Sequence, residues 1–199
     1  MRRTPVSELR ARLADALAHS GGPSTDFDLN PDIAAPDIPL TPAAVLIGVH
    51  AESQAVLLTK RSARLKHHPG QIAFPGGKQD PTDNTLVAAA LREADEEIGL
   101  PSSAVEVLGT LPPHQTVTGY QVTPVLGLIT APFAQRAEAG EVSEIFDVPL
   151  RYLLAEENYR VEGRRWQGRK RFYYTVPFGP YYIWGATARI LRGLAARMA

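Results

Sequence analysis

The chain has 199 residues, room for one ordinary domain with a real core but not for two full ones. Its 44% hydrophobic and 21% charged residues are globular values that exclude a wholly disordered chain, and having no cysteine removes disulfides, thiolate metal sites and cysteine nucleophiles together. Lys plus Arg and Asp plus Glu both number 21, so no global field draws in nucleic acid and any anion must be caught locally.

Thr4-Pro5 reads as an N-cap and first helical position, and Leu9, Leu13, Ala16 and Leu17 give a helical stripe that stops at Gly21-Gly22. The basic Met1-Arg2-Arg3 leads into this amphipathic helix instead of an apolar signal core, so no secretion signal is read and a cytoplasmic location is expected. No apolar run reaches the roughly 18 residues of a membrane span, so no membrane partner is expected. From Ser20 to Pro42 the composition turns to Pro, Gly, Asp and Ser, which suits a segment crossing the surface. Residues 1–41 are therefore set apart as an N-terminal helix and crossing segment, and 42–199 as the main domain. The default for the crossing segment is a linker packed on the domain; with the helix it could also serve a homodimer.

Ala43 to His50 and Ala55 to Lys60 are short β-rich runs, and the polar Ala51-Glu52-Ser53-Gln54 between them suggests a hairpin. Arg61, Arg64, Lys66, His67 and His68 then form a local basic cluster before Pro69-Gly70. Ile72 to Phe74 reads as a strand entering the turn Pro75-Gly76-Gly77, and Asp80 to Asn84 supply turn and cap residues for a following helix. Val105 to Leu111, Tyr120 to Thr130, Glu141 to Val148 and Arg171 to Val176 are further strand candidates. Pro149 to Leu154 reads as a short helix, and Ile190, Leu191, Leu194 and Met198 mark a closing amphipathic helix over Ala186 to Met198. Strands and helices interleave without a strict βαβ repeat, so the fold class expected is α/β, a mixed sheet covered by helices on both faces.

The helix expected over Thr85 to Ile98 carries the chemistry. At 100° per residue, Val87, Ala90, Leu91, Ala94 and Ile98 form its buried stripe, while Glu93, Glu96 and Glu97 share one edge beside it and Asp95 points to solvent. Carboxylates this close repel, by up to roughly 0.5 kcal/mol per i,i+4 pair, and a hard cation such as Mg²⁺ removes that penalty. Spacing alone leaves open a solvated acidic face with Arg92 paired to Glu96. His67 or His68 suits such a site less well as a ligand, because hard phosphate-bound cations prefer oxygen.

Gly77 to Leu100 resembles a Nudix box, G-x5-E-x7-R-E-U-x-E-E-x-G-U with U aliphatic. Arg92, Glu93, Ala94, Glu96, Glu97, Gly99 and Leu100 fill its second half. In the first half Asp83 stands where the family has Glu, and eight residues instead of seven separate it from Arg92, so Asp83 has no assigned role. Directly upstream, Leu57 to Gly77, which includes Leu57-Leu58-Thr59-Lys60-Arg61 and Gly70-Gln71-Ile72-Ala73-Phe74-Pro75-Gly76-Gly77, resembles the extended signature of the coenzyme A pyrophosphatase branch of that family. Pro112-Pro113, Thr118-Gly119-Tyr120 and Trp184-Gly185 are also similar to that branch, with no chemistry attached.

The resemblance implies a Nudix-type α/β/α sandwich, here with an added N-terminal helix. It also implies dependence on Mg²⁺ or Mn²⁺ and cleavage of coenzyme A to 4′-phosphopantetheine and adenosine 3′,5′-bisphosphate. By the same resemblance Glu93 and Glu97 are metal ligands with the Gly77 carbonyl a further oxygen, Glu96 completes the set or acts as base, and Arg92 orients these carboxylates. A further acid from a later loop is common in the family; Glu141 is the first choice for that ligand or base and Glu144 the second, against a plain charged loop. Arg61, Lys66 and His67 are candidates for the substrate phosphates, since a point or bidentate positive charge suits each one. The alternatives are a family hydrolase of another nucleoside diphosphate derivative, such as ADP-ribose, a dinucleoside polyphosphate or an oxidised nucleotide, and a silent nucleotide-binding module.

Overall fold

The computed structural model describes residues 5–19, 21–33, 35, 37–166 and 168–199. In chain order the elements are helix α1 (Val6–Ala18), strands β1 (Ser24–Thr25), β2 (Thr41–His50), β3 (Ala55–Arg61), β4 (Ile72–Ala73) and β5 (Gly76–Lys78), helix α2 (Leu86–Ile98), strands β6 (Val105–Thr110), β7 (His114–Gln115), β8 (Tyr120–Ile129) and β9 (Val142–Pro149), helix α3 (Leu150–Leu154), strands β10 (Arg160–Trp166) and β11 (Arg169–Thr175), and helix α4 (Gly185–Met198). Helix α1 begins at Val6, with Pro5 just outside it, and Thr4, the expected cap, lies outside the described residues.

The centre of the sheet is the parallel pair β2 and β8, in register from Thr41 opposite Tyr120 to His50 opposite Ile129. Side chains alternate across β2, as a strand buried on both faces requires. Ala44 and Leu46 pack with Ala90, Ala94 and Ile98 of α2, while Ile47 and Val49 pack on the other face with Leu9 and Leu13 of α1 and Leu191 and Leu194 of α4. Burying a leucine such as Leu46 or Leu191 from water contributes about 2 kcal/mol, so helices on both faces hold the mixed sheet between them. The result is an α/β/α sandwich, and α1 belongs to its core through Leu9, Leu13 and Ala16.

The expected hairpin forms, but β2 and β3 meet only where Val49 faces Val56 and then part. Into the opening come β5, which pairs antiparallel with Ala43–Val45, and β4, which pairs with Thr59 and Lys60. The other edge of β3 is covered by β9. The Phe74-Pro75-Gly76-Gly77 turn is thereby set in the mouth of a split sheet, with the Leu46 N–H donating to the Pro75 carbonyl at 2.8 Å. Strands β10 and β11 form a separate two-stranded hairpin, of which the sequence reading placed only the second strand. Among the described residues no helix is long and apolar enough to cross a membrane.

Candidate active site at the glycine turn

Helix α2 is fixed at both ends by local chemistry. Its cap is Thr85, one residue beyond the expected Asp80–Asn84 stretch, whose hydroxyl accepts from the Ala88 N–H at 3.0 Å. It ends on Gly99, whose φ of 71° closes the last turn with an N–H bond to the Asp95 carbonyl at 2.8 Å. Ala89, Ala90, Ala94 and Ile98 are its buried apolar residues, with Val87 and Leu91 packed partly against the same core. Ala89 thus takes a place expected of the larger side chains, which lets the helix lie close on β2 and β5.

The three glutamates are graded by depth instead of lying side by side. Glu97 is 3% exposed and accepts from the Gly76 N–H at 3.2 Å. Burial pushes its carboxyl up to about 7, only partly opposed by that N–H and by Arg61. Glu93 is half-buried, and burial raises its carboxyl too, against the opposing pull of Arg92. Glu96 lies on the outer edge, held to Arg92 Nη1 at 3.0 Å. Asp95 is exposed, as expected.

Gly77 is required by the approach of Glu93. A Cβ at this position would lie 2.6 Å from Glu93 Oε1, so any side chain would push that carboxylate out of the turn. The absent side chain makes a cradle in which the Gly77 backbone and the Glu93 carboxylate face each other.

Arg92 is the organiser of the cluster. Its guanidinium contacts Asp83 at 2.9 Å, Glu93 at 3.0 Å and Glu96 at 3.0 Å. Asp83, left without a role by the sequence, is therefore the anchor that fixes Arg92. It also accepts from the Asp80 N–H at 2.8 Å, and Arg92 holds its carboxyl below the usual range. The irregular spacing between Asp83 and Arg92 hid this pairing. A signal was nevertheless present, since an Asp on the turn before a helix stands within reach of a long cation in the helix's second turn.

Of the basic cluster, Arg61 is the residue brought to the carboxylates. Its Nη1 stands 3.9 Å from Glu97 Oε1, while Lys66 and His67 are exposed on the loop beyond. Glu141 lies just before β9, where its carbonyl accepts from the Ser62 N–H at 2.7 Å, and its charge acts on both Glu93 and Glu97, raising each. The charge of Glu96 acts on Glu93. Glu144, the second choice, is taken by the Tyr181 hydroxyl, which donates to it, and the Tyr181 ring stacks on Phe146 with centroids 3.6 Å apart.

Among the described residues no group of three or more His, Cys, Asp or Glu side chains is gathered to hold a metal ion unaided. Arg92 holds Glu93 and Glu96, and Gly76 and Arg61 hold Glu97, so the acids are kept apart by their own partners. A hard cation that takes one or two carboxylates and completes its shell with water and phosphate oxygens still fits. Glu97 is buried with only weak compensation, and Glu93 is half-buried with its carboxylate set against the Gly77 backbone. With such a cation held by the two acids, its charge and that of the Arg61 guanidinium would together meet what a polyanionic phosphate ester needs.

The NUDIX domain family matches residues 39–174. The chain is 44% identical over 171 residues to the Nudix hydrolase NudL of Escherichia coli O6:H1, itself described as uncharacterized, covering 85% of this chain and 89% of that protein. The NudL of Shigella boydii serotype 4 shows the same identity and coverage. Among solved structures, the MutT protein of Methanosarcina mazei Go1 aligns over 60% of this chain and 83% of that one, at 22% identity and a TM-score of 0.48. With a family match spanning the glycine turn, the carboxylate helix and the sheet that holds them, the chain belongs to the Nudix hydrolase family.

Proposed function

We propose that this protein hydrolyses the pyrophosphate bond of coenzyme A or its derivatives, using Mg²⁺ or Mn²⁺, to give 4′-phosphopantetheine and adenosine 3′,5′-bisphosphate. Nudix hydrolases are generally dependent on a divalent metal. The observation that carries the substrate reading is the contact between the branch-like upstream segment and the carboxylates, Arg61 Nη1 at 3.9 Å from Glu97 Oε1. A segment that resembles the coenzyme A pyrophosphatase signature thus runs into the reacting centre and is not a distant decoration.

In this reading Glu93 and Glu97 would hold the cation, with the Gly77 carbonyl a further oxygen. The bound cation supplies positive charge to the phosphoryl oxygens and lowers the pKa of a water. Glu141, whose charge acts on both ligands, takes a proton from the attacking water, and Glu96, held by Arg92, keeps Arg92 and Glu93 in place. The new bond forms between the water oxygen and one phosphorus, and the bond from that phosphorus to the bridging oxygen breaks. Two phosphate monoesters leave. Arg61 neutralises a phosphoryl oxygen next to Glu97, and Lys66 and His67 meet the substrate at the loop rim.

The test is product analysis by chromatography and mass spectrometry on a panel of coenzyme A, acyl-coenzyme A, oxidised coenzyme A, ADP-ribose and a dinucleoside polyphosphate, with each metal. Coenzyme A left intact while ADP-ribose is cleaved would replace this substrate with another nucleoside diphosphate derivative. Binding of the whole panel with no turnover under either metal would point to a silent module.

A further inference from the structure

Away from the carboxylates, a cavity of about 380 Å³ lies among helix α4, the segment joining α1 to β1, the stretch after β6 and Pro124 of β8. That volume is in the range of small-molecule sites. No residue of the glycine turn, of α2 or of the Arg61 loop lines it. Its lining divides by chemistry. Leu111, Pro112, Pro124 and Ile190 supply apolar surface, Arg189 and Arg197 supply guanidinium groups, and among the described residues no acidic side chain takes part. The exposed Gly21 and Gly22 also line it and give access from solvent.

The two arginines differ in how they are held. Arg189 is neutralised by Asp28, with Nε at 2.8 Å and Nη2 at 2.6 Å from Oδ2. Arg197 is half-buried and donates to the carbonyls of His19 and Gly21, the second at 3.1 Å. Among the described residues no carboxylate forms an ion pair with Arg197, so its charge is uncancelled, and three of its five N–H donors are unused. A Cβ on Gly21 would collide with Arg197 Nη2, so this glycine is what lets the chain close over the guanidinium.

Arg189, Gly193 and Arg197 stand four residues apart on α4 and share one side of it. A glycine inside a helix is unfavourable, because it brings no side chain to pack and loses the most backbone freedom on folding. Packing does not impose it here: the nearest atom an added Cβ would meet is Arg189 Nη1 at 3.7 Å, an ordinary contact. Its bareness leaves the stretch of helix between the two arginines open to the cavity, which it lines.

We infer that this cavity is a second ligand site, separate from the reacting centre, for a small organic oxyanion. A carboxylate or phosphate head pairs with Arg197, whose planar fork of donors suits either, and an apolar body rests on Leu111, Pro112, Pro124 and Ile190. The site does not depend on which substrate is hydrolysed at Glu93 and Glu97.

The experiment is an amide NMR titration of the full ¹⁵N-labelled chain in chelator with phenyl phosphate, benzoate, inorganic phosphate and benzyl alcohol. Phenyl phosphate or benzoate is expected to move the Gly21, Gly22 and Gly193 signals along one saturable curve, with Gly76 and Gly77 unmoved. Inorganic phosphate lacks the apolar body and benzyl alcohol lacks the charge, and each is expected to bind at least about five-fold more weakly. The tighter of the first two identifies the head group. Arg197→Gln is expected to weaken binding about ten-fold. Gly193→Leu fills the cavity from the helix side and is expected to abolish saturable binding, with the melting temperature unchanged or raised because leucine favours the helix. Both variants are expected to keep the hydrolytic activity of the wild type.

No saturable shift with either aromatic anion would overturn the inference, as would shifts confined to Gly76 and Gly77. Equal binding of benzyl alcohol would make the cavity an apolar hole without an anion site and would also overturn it. A folded Arg197→Gln that binds like the wild type, with its melting temperature lowered, would show that Arg197 only ties down His19 and Gly21. Should Arg197→Gln fail to fold, Gly193→Leu decides, and wild-type binding in that variant refutes the site.

Discussion

Arg92 and Asp83 are joined by a two-pronged ion pair, with Arg92 Nε at 3.0 Å from Asp83 Oδ1 and Nη2 at 2.9 Å from Oδ2. This pair fixes the guanidinium that in turn holds Glu93 and Glu96. Asp83 is thus a positioning residue acting through Arg92. Asp83→Asn is expected to raise the Mg²⁺ concentration for half-maximal activity about ten-fold, the range measured for outer-shell partners of metal ligands, while Asp83→Glu restores part of the loss. A variant with unchanged metal dependence would remove Asp83 from the site.

Glu97 trades stability for function. Its carboxyl is raised from 4.5 to about 7 in the folded, metal-free chain, so ionising it opposes folding. The unfolded chain releases this proton first, and stability from this group falls as pH rises from about 4.5 to about 7, staying low above that. The full effect is on the order of 3 kcal/mol. Glu97→Gln is therefore expected to raise the melting temperature of the metal-free protein at pH near 8 by a few degrees while lowering turnover at least about 100-fold. Thermal melts at two pH values in chelator check the first part; full activity in the variant would refute the metal role.

At the turn, Gly77→Ala places a methyl 2.6 Å from where Glu93 Oε1 now lies. The carboxylate must move, and the expected result is about a 100-fold loss of kcat with the melting temperature changed by only a few degrees. A loss of stability without a selective loss of activity would show that the glycine serves the turn and not the carboxylate.

His114 ties the crossing segment to the sheet. It is fully buried, its ring nitrogens meet Ser24 Oγ at 2.9 Å and Asp26 Oδ1 at 3.1 Å, and the Val117 N–H donates to Asp26 Oδ2 at 2.8 Å. His114→Ala leaves a cavity and unpaired polar groups, so denaturant unfolding is expected to show a loss of about 2–4 kcal/mol. A loss under about 0.5 kcal/mol would mean that the segment is held by its other contacts.

The long periodic elements were legible in the sequence. Helix α2 and the strands β2, β3, β6, β8 and β9 carry runs of apolar or β-branched residues, and the structure places all of them within a residue or two of expectation. Strand β10 was not legible, because Arg160–Trp166 holds mostly charged residues and pairs with β11 beside an exposed Val161. Strands β1, β5 and β7 have two or three residues each and exist through their partners alone.

The candidate site divides the same way. The order Glu93, Glu96, Glu97 gave one helix edge, but the depth of each acid depends on how α2 lies against Ala44 and the glycine turn. Arg61 could be named from its cluster, yet its choice over Lys66 and His67 follows from β3 pairing with β4 and β9. The capture of Glu144 by Tyr181, 37 residues away, is a tertiary contact that no local pattern carries.

The most direct test of the whole account is the fate of coenzyme A itself. Purified protein incubated with coenzyme A and Mg²⁺ or Mn²⁺, followed by mass spectrometry of the products, is predicted to yield 4′-phosphopantetheine and adenosine 3′,5′-bisphosphate in equal amounts, with no turnover in chelator. Intact coenzyme A under both metals, alongside cleavage of ADP-ribose or a dinucleoside polyphosphate, would contradict it.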